Sequence, residues 1–217
     1  MTDTSGKDWF AWHAPYDTPG SSLSVRLELV QRYISQALDE APPGLVRLVS
    51  LCAGQGRDVI GAVAAHRRRA DVSARLVELD PRNTEVARRL ADGAGLPVEI
   101  LTADASSSDS YAGAVPARIV VACGIFGNVS DADIHHFTDS ASMLCSQGAT
   151  VIWTRHRREP DLTPSVRRWF VEAGFEEIGF EAPAEHQFVA VGAARWSGPA
   201  GELRAGETFF TFVGDPL

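Results

Sequence analysis

The sequence predicts a single-domain α/β protein, a doubly wound and mainly parallel sheet with helices on both faces. Three observations predict it. Short runs rich in β-branched residues alternate with stretches of helical periodicity between Leu45 and Ala173. A turn bearing two glycines joins the first run to the helical stretch after it, the place where open α/β sheets hold ligands. After Gly174 two more runs follow with no helix between them, which suits an antiparallel pair closing the sheet.

The elements are legible in order. DWFAWHAPYDTPGSS sets Trp9, Phe10, Trp12 and Tyr16 among turn formers, an ordered arm with aromatic anchors. Leu23, Leu27, Val30, Ile34 and Leu38 recur at helical spacing until Pro42, Pro43 and Gly44 end the pattern. Strands are expected at Leu45–Leu51, Ala74–Leu79, Val98–Ala103, Ala117–Cys123 and Ala149–Thr154. Helices are expected near Arg57–Arg69, Asn83–Gly93, Asp131–Leu144 and Pro164–Ala173, with Ser130 and Asp133 as a capping box for the third. The tail offers Glu176–Phe180, Gln187–Trp196 and a last run, Glu207–Val213, that adds an edge strand or covers a face. The chain thus divides into an aromatic arm and helix (1–44), a ligand-binding core (45–196) and a C-terminal extension (197–217).

Composition narrows the function classes. With 217 residues, 45% of them hydrophobic, the chain can bury one sizeable core. No run reaches the length of a membrane span, and MTDTSGKDWF lacks the basic start and apolar stretch of a leader, so a cytoplasmic protein is expected. Cys52, Cys123 and Cys145 have no C-x-x-C spacing, which indicates neither a disulfide framework nor a zinc site. The net charge of −8 argues against DNA or RNA as the main partner, although Arg67–Arg69 and Arg155–Arg158 form local basic clusters. A homodimer stays open.

The chemistry concentrates at three successive strand ends. Val49-Ser50-Leu51-Cys52-Ala53-Gly54-Gln55-Gly56-Arg57-Asp58 runs from a strand through G-x-G into a helix, where glycines let main chain approach a ligand. Glu78 ends the second strand, 22 residues beyond Gly56, where a carboxylate can accept from both hydroxyls of a ribose. Val59 stands where a dinucleotide fingerprint has its third glycine, so a nucleoside without phosphates fits better than NAD. Asp104, in Thr102-Ala103-Asp104-Ala105 after the third strand, can accept from an exocyclic adenine amine.

In this combination the chain resembles the class I S-adenosylmethionine-dependent methyltransferases, across roughly Leu45 to Trp196. The family's L-D-x-G-x-G-x-G turn lines up within Leu48 to Gly56. Glu78-Leu79-Asp80-Pro81 resembles its D-x-S-P ribose motif, Asp104-Ala105 its adenine motif, and Phe170-Val171-Glu172-Ala173-Gly174-Phe175 its late helix running into the sixth strand. The resemblance implies a Rossmann-like sheet of seven strands with the last antiparallel. It also implies S-adenosyl-L-methionine as cofactor, held by Tyr16, Arg26, Ala53, Gly54, Gly56, Arg57, Glu78, Leu79, Asp104, Ala105 and Cys123.

Two departures stand out. Ser50 occupies the place of the family's acidic residue and Cys52 that of its first glycine, so the methionine end is held differently, with Arg57, Arg26 or Tyr16 to compensate. Cys123-Gly124-Ile125-Phe126-Gly127-Asn128 replaces the D/N-P-P-Y/F of amide and exocyclic-amine methyltransferases, which disfavours nucleic-acid or glutamine N-methylation; the acceptor expected is a small molecule methylated at oxygen, nitrogen or an activated carbon.

For a hydroxyl acceptor a base must remove a proton, and His13, Tyr16 and His156 are the candidates. No metal site is legible among the six histidines; His135 and His136 are adjacent and diverge by about 100° on a helix. Trp9, Trp12 and Tyr16 suit either a lid over the acceptor or packing on the core. An NAD-dependent oxidoreductase and a non-catalytic cofactor-binding module remain the competing readings.

Overall fold

The computed structural model describes residues 8–186 and 188–213. Residues 1–7, which carry most of the leader reading, lie outside the described residues, as does Gln187, the expected start of the seventh run. Seven strands form one sheet: β1 (Val46–Leu51), β2 (Val72–Glu78), β3 (Val98–Thr102), β4 (Ala117–Ala122), β5 (Cys145–Arg155), β6 (Phe175–Glu181) and β7 (Ala190–Trp196). Their order is β3-β2-β1-β4-β5-β7-β6, with β7 antiparallel to both neighbours and the pairs from β3 to β5 parallel. The order reverses between β1 and β4, which opens a crevice at their carboxyl ends.

The strand sequences read as unbroken apolar runs because both faces are covered. Val49, Leu51, Val120, Ala122, Val151 and Trp153 point into one core, roofed by α4 (Asp131–Ser140) and α5 (Thr163–Glu172). Leu48, Ile119, Val121 and Ile152 point into the other, beneath α1 (Ser22–Glu40), α2 (Arg57–Ala65) and α3 (Pro81–Ala94). Among the described residues no helix is long and apolar enough to cross a membrane.

Several boundaries differ from expectation for physical reasons. The helix expected to reach Arg69 stops at Ala65, and the basic run beyond it caps other elements. Arg68 donates to the carbonyls of Leu38, Ala41, Pro42 and Gly44 at the end of α1, Arg69 donates to that of Ala94 at the end of α3, and Arg67 pairs with Asp39. α3 begins two residues early, at Pro81, because the Asp80 carboxylate accepts from the Arg82 N–H as its N-cap. Strand β5 begins at Cys145, with a register shift before Thr150 absorbing Ser-Gln-Gly.

The Ser130 cap forms, its Oγ accepting from the Asp133 N–H at 3.1 Å. Asp133 does not close the box on the Ser130 main chain; its Oδ1 accepts from the Thr211 N–H at 3.1 Å and so ties down the C-terminal segment. That segment makes two isolated bridges, Ser107 with Thr208 and Val129 with Phe212, and covers a face rather than adding an edge strand. Phe209 and Phe210 are buried there against Tyr111 and Phe137.

Candidate functional site

The loop after β1 alternates left-handed residues, with φ of +48° at Cys52, +55° at Gly54 and +66° at Gly56, the N-cap of α2. Gly56 has no room for a side chain, since an added Cβ would lie 2.6 Å from Leu76 and 2.9 Å from Ile60. Cys52, at the place of the family's first glycine, takes a backbone conformation that costs a non-glycine residue about 1–2 kcal/mol. Such strain collects at functional sites, and it supports the alignment of this turn.

Glu78 fixes the loop. Its Oε2 accepts from the Gly54 N–H at 2.8 Å and its Oε1 from the Asp80 N–H at 2.9 Å. Burial pushes its carboxyl above the ordinary value, and those two main-chain donors oppose the rise. Each oxygen keeps a further lone pair for a ligand hydroxyl. One strand over, Asp104 Oδ1 accepts from the N–H and hydroxyl of Ser106, both at 2.8 Å, while Tyr111 donates to the Ala105 carbonyl at 2.7 Å. The two carboxylates stand at adjacent strand ends: β2 and β3 pair Glu78 with Thr102, and the Ala103 N–H donates to the Glu78 carbonyl at 3.0 Å. Burial raises the Cys52 thiol, and the charges of Glu78 and Asp104 raise it further. Leu79 stands 66% exposed beside Glu78.

Across β1 and β4, which pair Leu51 with Ala122, Cys123 follows as the neighbour of Cys52. The next peptide is rigid: the Gly124 N–H donates to Thr154 Oγ1 at 2.9 Å and its carbonyl accepts from Asn128 Nδ2 at 2.7 Å.

The arm roofs the other end of the crevice as a 3₁₀ helix, Ala11–Asp17. The His13 ring rests on Gly54 so closely that an added Cβ would lie 2.3 Å from Nε2. His13 Nδ1 donates to the Trp9 carbonyl at 2.7 Å, and burial lowers its pKa, so the neutral ring presents Nε2 as an acceptor. Arg26 of α1 donates to the Tyr16 hydroxyl and stacks on the rings of Trp12 and Tyr16, at 5.1 and 5.7 Å. Burial pushes the Tyr16 phenol up against the opposing pull of Arg26. Arg57 pairs with Asp17 at 2.5 Å, and Arg82 joins Asp8 (2.9 Å) to Asp80 (2.7 Å). Trp9 meets Phe212, so arm and C-terminal segment touch over the mouth.

The crevice left beneath the arm is about 20 Å³, lined by His13, Tyr16, Ala53, Gln55, Arg57 and Asp58. That is below the roughly 300–1,000 Å³ of small-molecule sites. Beneath the arm there is room for little more than a water, and the arm must shift to admit a ligand of nucleoside size.

The expected site residues fall into three groups. His13, Tyr16, Ala53 and Arg57 line this crevice with Arg26 behind Tyr16, and Gly54, Glu78, Leu79, Asp104, Ala105 and Cys123 stand at the adjoining strand ends. His156 is outside this lining; its ring lies against Gly127, and its Nδ1 accepts from the Arg158 N–H at 3.3 Å. Asp58 was missed by sequence reasoning, because a carboxylate in a first helical turn reads as a dipole partner. Among the described residues no cluster of His, Cys, Asp or Glu could hold a metal ion.

No protein-family model and no curated protein matches the sequence. Solved structures match in fold. Magnesium protoporphyrin IX methyltransferase from Synechocystis PCC 6803, solved with bound SAM, is 9% identical with a TM-score of 0.63 over 90% of this chain and 100% of its own. An O-methyltransferase family protein from Burkholderia thailandensis is 16% identical with a TM-score of 0.60 over 90% of this chain and 64% of its own. A possible exported protein from Bordetella parapertussis is 16% identical with a TM-score of 0.65 over 90% and 81%. The seven-stranded sheet with its antiparallel β7 is therefore the Rossmann-like fold that solved methyltransferases share.

Proposed function

We propose that this protein transfers a methyl group from S-adenosylmethionine to a small-molecule acceptor without a metal. The observation that carries the reading is that Glu78 and Asp104 stand at adjacent strand ends, beside a left-handed loop whose Gly54 N–H is bound to Glu78. Two carboxylates on adjacent strand ends suit one ribose and one adenine. The fully buried Val59 leaves no third glycine for a pyrophosphate turn, which supports this reading over NAD.

Bound there, the cofactor supplies an electrophilic methyl group on a sulfonium. The chain's own contribution is positioning, exclusion of water and, for a hydroxyl or amine acceptor, removal of a proton. His13 is the best-placed base, since its Nδ1 is committed to Trp9 and its Nε2 faces the glycine loop. Tyr16, bonded to Arg26 and pushed up by burial, serves to orient; His156, whose ring lies against Gly127 of the loop after β4, serves the acceptor in this reading. The arm and the loops after β4 and β5 shape the acceptor pocket, and a −8 chain suits a small acceptor better than a polyanion.

The test is label transfer from methyl-labelled S-adenosylmethionine to a panel of small alcohols, phenols, amines and activated carbons, with His13→Ala alongside. Transfer that falls at least tenfold in the variant is expected. Cofactor binding with no transfer to any acceptor would favour a binding module, and nicotinamide binding alone an oxidoreductase.

A further inference from the structure

Resting on that reading, we propose that Asp58, in the first turn of α2, receives the ammonium of the cofactor's amino-acid end. The strand residue aligned with the family's acid cannot do so: Ser50 is neutral, 1% exposed, and its Oγ has no hydrogen-bond partner. The other charged groups at the crevice are Arg26 and Arg57, cations that repel an ammonium. Both are engaged, Arg26 with Tyr16 and Arg57 with Asp17 and Gln55. Asp58 is the one carboxylate lining the crevice beneath the arm, on the same wall as Ala53 of the glycine loop.

Its state is that of a group awaiting a cation. Asp58 Oδ1 accepts from the Val59 N–H at 2.8 Å, which fixes the side chain. Among the described residues no ion pair reaches Asp58 and no hydrogen bond reaches its Oδ2; Arg26 acts on it only through its field. Asp58 is half-buried, so a ligand ammonium is less screened here than at an open surface and is worth more. The carboxylate that the family draws from a strand is delivered here from the helix after it.

Calorimetry on wild type and Asp58→Asn separates this assignment from the nucleoside reading. The ligands are S-adenosylhomocysteine, its deaminated analogue, and 5′-methylthioadenosine, which lacks the amino-acid end. Wild type is expected to bind S-adenosylhomocysteine about 10- to 100-fold more tightly than the deaminated analogue, the range of a hydrogen bond between charged groups. Asp58→Asn should erase that preference and leave methylthioadenosine binding unchanged. Equal losses for all three ligands in Asp58→Asn, with no preference for the amine in wild type, would make Asp58 a structural cap and overturn the assignment. So would an amine preference that survives the substitution. Wild type that binds none of the three overturns the nucleoside reading itself.

Discussion

The two walls of the crevice are held by different chemistry. On the strand-end side, Glu78 is clasped by the main-chain N–H groups of Gly54 and Asp80, and Asp104 by Ser106, all within 2.9 Å. These contacts sit at strand ends continuous with two buried cores. On the arm side the links are ring contacts and ion pairs whose carboxylates, Asp8 and Asp17, are exposed. Such pairs contribute little and are screened by salt. The difference teaches that the strand-end wall is fixed by short hydrogen bonds whereas the arm rests on weaker contacts, and under the proposed function it is the arm that must open, given the small volume beneath His13.

Substitutions can break that contrast. The largest effect is expected at Glu78. Glu78→Ala leaves the Gly54 and Asp80 N–H groups unmet and removes the ribose acceptor, so S-adenosylhomocysteine affinity should fall by about 100-fold or more and thermal stability should drop. Retained affinity would show that the clasp serves the loop and no ligand.

Next comes Gly54→Ala, where floor meets roof. The new Cβ would lie 2.3 Å from His13 Nε2 at a φ of +55°, so the arm must lift and the backbone must bear about 1–2 kcal/mol. Hydrogen exchange should rise over residues 8–17 and stay unchanged in β1 and β2. Faster exchange throughout the sheet would mean that arm and floor unfold as one unit.

Acidification sharpens the comparison further. Burial holds the Glu78 pKa above its ordinary value. Its charged form, which accepts ribose hydroxyls, is therefore lost at a higher pH than usual, and ligand affinity should decline as pH falls through that raised value. Stability moves the other way: relative to Glu78→Gln, the unliganded wild type should lose stability as pH rises through the same range. A flat affinity profile shared by both proteins would contradict the role.

The smallest effect on binding should come from deleting the residues before Gly20. The fold and methylthioadenosine affinity should persist while acceptor turnover disappears. Global unfolding would instead make the arm part of the core.

What the sequence revealed follows the same division. Gly54, Gly56, Glu78 and Asp104 were legible because strand periodicity places them at successive strand ends, and backbone topology does the rest. The left-handed φ at Cys52 was not legible, since no local pattern forces a thiol into a glycine conformation. Nor was the seating of His13 on Gly54, which depends on how a 3₁₀ arm crosses a sheet edge far away in sequence. Arg67–Arg69 read as a basic cluster because the carbonyls it caps belong to α1 and α3. The early start of β5 was hidden by Ser146-Gln147-Gly148, which reads as a turn and is absorbed as an irregularity. Asp58 stands out only once the packing of α1 on α2 brings Arg26 near it and the arm adds Tyr16.

The most direct test is a calorimetric titration of S-adenosylhomocysteine into wild type and Asp104→Ala. One equivalent should bind the wild type, with affinity falling about 10-fold or more in the variant as one charged hydrogen bond to the base is lost. No heat with the wild type, or identical isotherms for the two proteins, would contradict a crevice that holds one nucleoside by both its sugar and its base.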